Sequence, residues 1–144
     1  MIEQDTIKLL RECDAGVKMG ISSINDVLGH VTTEAFSQKL TTCREEHEDL
    51  QCKILQELEK YRDDGKEPNP IAKGMSWMKT TMKLNMEDSD ATIASLMTDG
   101  CNMGVKSLNR YLNQYKAADE VSKDMAKRLI HLEEKLAGDI REYL

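Results

Sequence analysis

Cys43 and His47, four residues apart in "TTCREEHEDL", are the residues of this chain best suited to chemistry. On a helix that spacing sets a thiol and an imidazole on one face. Thiolate and neutral imidazole are ligands that zinc prefers. Asp14, in "RECDAGVKMG", falls on the inward row of its own segment, and "SLMTDGCNMG" offers Asp99 and Cys101. Asp14, Cys43 and His47, with Asp99 or Cys101 opposite, form a candidate site for a single divalent metal such as Zn²⁺. The competing reading is a buried Asp14–His47 hydrogen-bonded pair with Cys43 as filler. Buried polar groups need partners, and these two can satisfy each other. Acid–base catalysis needs convergent groups in a cleft, and Asp14/His47 is the one candidate for it. The chain shows no phosphate-binding glycine loop, no nucleophile elbow and no Ser–His–Asp ordering, so no catalytic residue is assigned.

The remaining chemistry-bearing residues read as structure. His131 shares a row with Asp124, Arg128 and Lys135, a solvated face, and His30 follows Gly29 in a turn. Met75, Met78, Met82 and Met86 recur at helical spacing. Thioethers suit copper(I), but a methionine stripe is more commonly adaptable core packing, and no cofactor is expected. Trp77 lies off that row, positioned to pack across a linker or to meet a partner.

Four amphipathic helices must hold these groups. Helix 1 is expected from Asp5 to Leu28, with Ile7, Leu10, Asp14, Val17, Ile21, Ile24 and Leu28 inward at alternating steps of three and four. Helix 2 is expected from Thr32 or Thr33 to Asp64, with Phe36, Leu40, Cys43, His47, Leu50, Ile54, Leu58 and Tyr61 inward. "DDGKEPNP" breaks the chain, since glycine and proline resist helix continuation. Residues 71–116 are one kinked helix or a short helix followed by a long one, and the second is the expectation. Its inward row is Ile93, Leu96, Gly100, Met103, Leu108, Leu112 and Tyr115. The last helix starts at Asp119 and runs to the end, with Val121, Met125, Leu129, Leu132, Leu136, Ile140 and Tyr143 inward. The fold class is all-α: an antiparallel four-helix bundle with an extra short helix. Residues 1–144 are a single domain: hairpin 1 over 5–64, a linker over 65–70, the short helix over 71–86 and hairpin 2 over 91–144.

Composition agrees. The 144 residues are 40% hydrophobic, 32% charged and 4% aromatic, with two prolines, a mix that favours helices. The formal net charge is −6 and basic residues do not cluster, which argues against nucleic-acid binding. "MIEQDTIKLL" has no signal-peptide character, and no apolar run approaches ~18 residues, so no membrane span is expected. The expectation is a cytoplasmic protein with four reduced cysteines, Cys13, Cys43, Cys52 and Cys101.

One phrase occurs twice. "MGISSINDVL", residues 19–28, returns as "MGVKSLNRYL", residues 103–112. Shifted by 82 residues, the inward rows of helices 2 and 4 also align, from Cys43 on Met125 to Tyr61 on Tyr143. A duplicated helical hairpin accounts for both. Each copy carries glycines four apart, Gly16/Gly20 and Gly100/Gly104. Glycine within a helix costs about 1 kcal/mol relative to alanine, so a packing reason is expected: close approach of helices 1 and 3, or room for a bulky neighbour. A pocket made by the glycines with Asn25 and Asn109, serving a small ligand, is a further possibility.

The duplicated hairpin, together with "KGMSWMKTTMKLNMEDSDATIASLMTDGCNMGVKSLNRYL", resembles small bacterial domains of the ferritin-like superfamily of unknown function. The resemblance implies an antiparallel ferritin-like bundle. In di-iron members it also implies a glutamate on each of two helices and Glu-x-x-His on the other two. Here Arg44 stands three residues before His47 and Arg128 three before His131, while Asp14 and Asp99 or Cys101 replace a glutamate pair. The di-iron pattern is degenerate. The expectation is a non-enzymatic binding or structural module, self-associating as a homodimer through 71–86. The alternative is a single-metal or redox protein using Asp14, Cys43, His47, Asp99 and Cys101.

Overall fold

The computed structural model describes residues 2–67 and 89–144. Within them the chain is all-helical and forms a four-helix bundle: α1 (Ile2–Leu28), α2 (Glu34–Glu59), α3 (Asp90–Gln114) and α4 (Glu120–Asp139), then a 3₁₀ turn over Arg141–Tyr143. The expected short helix over 71–86, with its methionine stripe and Trp77, lies outside the described residues.

Helix starts follow their caps. Ser89 accepts a hydrogen bond from Thr92 N, and Asp119 from Ser122 N, so α3 and α4 begin where a side-chain oxygen can take an orphan amide. Thr33, ahead of α2, makes no such bond within its own helix. Asp90, the first residue of α3, does the work instead. Its carboxylate accepts from Thr32 N and Thr33 N, each at 2.9 Å, and from both threonine hydroxyls. The other hairpin returns the arrangement. Asp5 accepts from Ala117 N at 3.0 Å, and Thr6 Oγ1 accepts from Asp119 N at 2.8 Å. Each hairpin's leading helix thus ties down the turn of the other.

Helix ends differ from expectation in instructive ways. α2 stops at Glu59 rather than Asp64, because Tyr61, Arg62 and Asp63 turn their amides back onto the carbonyls of Leu58, Glu59 and Leu58, and Arg62 takes φ 55°. α4 stops at Asp139 and tightens into the 3₁₀ turn instead of running on. Tyr143 there stacks on Phe36 with ring centroids 4.6 Å apart.

The α2 row holds from Phe36 to Leu58, all seven inward positions being buried. Two expected core residues are instead exposed, Met103 at 54% and Val121 at 46%. On α3 the expected Ile93, Leu96 and Leu108 are buried, together with Ala94, Met97 and Cys101, so the buried line passes through Cys101 rather than through Gly100 and Met103. On α4 the first turn presents Ser122 inward. Its hydroxyl donates to Asp119 O, and that cap rotates Val121 outward.

α1 packs on α2 and α3 on α4, and α4 also packs against α1 and α2. The core falls into two apolar clusters. One gathers Ile24, Val27, Phe36, Leu40, Ile93, Met97, Leu136 and Ile140; the other Leu9, Leu10, Val17, Leu50, Ile54, Leu108, Met125 and Leu129. On every helix the border between clusters falls at the same level: around 20 on α1, 47 on α2, 104 on α3 and 133 on α4. At that level the residues are Gly20, His47, Gly104 and Glu133.

Candidate functional site

His47 is 1% exposed, the most deeply buried cationic-capable side chain at the centre of the bundle. Its ring is held at both nitrogens. Nδ1 lies 2.8 Å from the backbone carbonyl of Cys43, one turn back on α2, and Nε2 lies 3.4 Å from Glu133 Oε1 on α4. The Glu133 side chain is itself only 13% exposed. Both nitrogens face acceptor oxygens. A neutral imidazole has a single N–H, whereas imidazolium donates twice and satisfies both. Burial by itself pulls the imidazole pKa down, but Cys43 and Glu133 outweigh it and hold His47 at about 10, far above the usual 6.5.

The glycines explain how the pair fits. A Cβ on Gly20 would stand 2.7 Å from His47 Cδ2 and Nε2. One on Gly104 would stand 3.5 Å from Glu133 Cδ. The two glycines are the second letters of the repeated phrase. Each lies beside the polar residue contributed by the second helix of its own hairpin. The two turns, residues 29–33 and 115–119, have equal length, and matching their caps, Thr33 and Asp119, relates α2 to α4 by 86 residues. By that register His47 corresponds to Glu133. The expected shift of 82 differs by one helical turn, which preserves the apolar match and misses the polar one. Room for a bulky neighbour is therefore the purpose of Gly20. The supposed ligand pocket is filled by the His47 ring, while Asn25 accepts from Arg44 and Asn109 donates to its own helix.

Two thiols border the pair. Cys43 Sγ lies 3.5 Å from His47 Nδ1. Cys101, from α3, sits against the Glu133 carboxylate; burial first and Glu133 second raise its pKa and keep it a neutral thiol. A groove of about 290 Å³ lies between α2 and α4. Cys43, Thr42, Glu46, Leu132, Lys135 and Leu136 are among its lining.

Asp14 belongs to a different place. It is fully buried, and one oxygen, Oδ2, accepts from Lys18 Nζ at 2.8 Å and from Lys66 N at 3.0 Å. The segment after α2 lies directly on it. Gly65 takes φ 89°, and a Cβ there would collide with the Asp14 carboxylate. Lys66 pairs with Glu12, Lys18 with Glu67 and Arg11 with Asp63, so one face of α1 grips residues 63–67. Asp14 Oδ1 has no hydrogen-bond partner among the described residues.

Of the five residues proposed from sequence, Cys43, His47 and Cys101 therefore meet at the centre. Asp14 secures the chain leaving α2, and Asp99 is exposed on α3. The expected Asp14–His47 pair does not form; the acid partner of His47 is Glu133, and only Oδ2 of Asp14 is taken, by Lys18 and Lys66. His131 is exposed, as its row required. Among the described residues no group of three or more His, Cys, Asp or Glu has the geometry to hold a metal ion. Glycines face the pair from α1 and α3, and Arg44 and Arg128 bond to Asn25 and Asp124 on the outside. No helix of the described residues is long and apolar enough to cross a membrane. No family model matches this chain, and no curated protein or solved structure matches it.

Proposed function

We propose that this chain is a non-enzymatic binding or structural module, an antiparallel bundle of ferritin-like arrangement in which an internal ion pair occupies the level where a di-iron protein keeps its metals. The observation that carries the reading is the closure of His47. Both ring nitrogens are taken by the protein's own oxygens, Cys43 O at 2.8 Å and Glu133 at 3.4 Å, leaving no imidazole lone pair for a substrate or a metal. The reciprocal caps through Asp5 and Asp90 support a rigid scaffold rather than a site that opens. Self-association through 71–86 is part of the proposal and rests on the Met and Trp pattern of that segment. Elemental analysis of the purified protein tests the first claim: no stoichiometric iron is expected, and two iron per chain would refute it. Light scattering tests the second: a dimer mass is expected, and a clean monomer would end it.

A single divalent ion is the second reading. It rests on Cys43, His47 and Cys101 meeting at one level, and it requires the His47 ring to release one of its two acceptors. One equivalent of zinc, lost in His47→Gln, would establish it over the first.

A further inference from the structure

We propose that Asp64 is a site of spontaneous isomerisation, attacked by its neighbour Gly65 N, and that the isoaspartate formed there releases residues 63–67 from α1. The chain contains two Asp-Gly pairs, Asp64–Gly65 and Asp99–Gly100. Both aspartates are exposed, so exposure does not separate them. Backbone conformation separates them. Asp99 and Gly100 lie inside α3, where each amide is committed to the i to i−4 ladder. Asp64 and Gly65 come after the end of α2 at Glu59 and belong to no helix. Gly65 N donates to Asp63 Oδ1 at 2.9 Å, a contact that rotation of one side chain breaks. The Asp64 carboxylate makes no hydrogen bond or ion pair among the described residues. The fold also fixes glycine at 65. Its φ is 89°, and a Cβ there would collide with the Asp14 carboxylate. A residue with no side chain leaves its own nitrogen unshielded. The glycine that lets this segment lie on α1 is therefore the one that exposes Asp64 to attack.

The chemistry balances with water alone. Gly65 N attacks Cγ of the protonated Asp64 side chain; a C–N bond forms as a C–O bond breaks, and the hydroxyl leaves as water with the amide proton. The reacting atoms are already tethered, which favours the step. The five-membered succinimide then takes up one water. Addition at Cγ restores aspartate, and addition at the α-carbonyl gives isoaspartate. One water leaves, one returns, and nothing is oxidised or reduced. Isoaspartate carries the main chain through Cβ and Cγ, which lengthens it by one atom between 64 and 65. The segment has no slack for that atom. Lys66 N stands 3.0 Å from Asp14 Oδ2, and the flanking charges are tied down as Arg11–Asp63, Lys66–Glu12 and Lys18–Glu67. The added atom displaces Lys66 N and opens buried Asp14 to water. The inference goes beyond the scaffold reading above, because it gives the bundle one place that changes with age.

The test holds purified protein at physiological temperature and pH for several weeks, then maps isoaspartate by peptide mass spectrometry with electron-transfer fragmentation. In native protein isoaspartate at 64 should exceed that at 99 by about tenfold, and in urea, where α3 no longer protects its pair, the two should convert at comparable rates. Asp64→Glu, at an exposed position, should abolish the signal at 64, because closure would need a six-membered ring, and should leave the circular dichroism unchanged. In the converted fraction the Lys66 amide should exchange about tenfold faster, with the amides of α1 unaltered. Equal isoaspartate at 64 and 99 in native protein overturns the site, as does none at 64 over a period that converts it in urea. Conversion that leaves Lys66 protected overturns the release.

Discussion

Replacing Glu133 by leucine should be costly, and the structure says how much. The substitution strips the acceptor from Nε2 of a ring that is 1% exposed and leaves its proton facing hydrocarbon. Removing one partner of a buried pair costs about 3–5 kcal/mol. Glu133 keeps 13% of its side chain exposed, so water relieves part of the loss and the expected value is the lower end, about 3 kcal/mol. His47→Leu should cost a similar amount, because it strands a mostly buried carboxylate and wastes the notch at Gly20. The double variant, His47→Leu with Glu133→Leu, removes both charges and fills the level with apolar side chains. Such replacements are often neutral. It should therefore be more stable than either single variant, with a coupling of about 2 kcal/mol or more. Urea unfolding followed by far-ultraviolet circular dichroism at pH 7 measures all four proteins. If the two single losses add in the double variant to within about 0.5 kcal/mol, the residues do not act as a pair and the reasoning is wrong.

Other outcomes follow from the same geometry. His47 titrates at about 10 when folded against 6.5 when free, so its contribution is complete below pH 6.5 and is lost as pH rises through 10. Stability measured by urea unfolding should fall by about 1 kcal/mol per pH unit between pH 7 and 8.5, and the slope should flatten in Glu133→Gln. Gly20→Ala and Gly104→Ala should differ in sign. The first drives a methyl into the His47 ring at 2.7 Å and should lose about 2 kcal/mol by thermal or urea unfolding; the second meets Glu133 at an ordinary 3.5 Å and should gain about 0.5–1 kcal/mol from helix propensity. Asp90→Ala removes the acceptor for two amides at the start of α2 and should lose about 1–2 kcal/mol, with amide exchange rising first at Thr32 and Thr33.

Much of this was readable in the chain because the apolar rows repeat at helical steps. The α2 row placed Cys43 and His47 inward correctly, since six apolar residues on one face leave no doubt about its phase. The doubled Met-Gly phrase marked the level of the polar centre, though not what filled it. Glu133 was missed for a physical reason. It sits in "HLEEKL", where the adjoining Glu134 and Lys135 read as a solvated face, and the row was drawn through Leu132. The signal was there: Glu133 lies four residues after Leu129 and three before Leu136, and 86 after His47. Asp14 was assigned the wrong partner because its true partners, Lys18 Nζ and a backbone amide in the segment after α2, come from a side-chain reach and a loop path that periodicity does not describe.

The central claim is that His47 is an imidazolium closed at both ends by the protein's own oxygens. Nitrogen-15 chemical shifts of the His47 side chain, followed from pH 6 to 9, read that state directly. Both nitrogens protonated through pH 8 is the result this account predicts. One nitrogen bare or metal-shifted at pH 7 would contradict it.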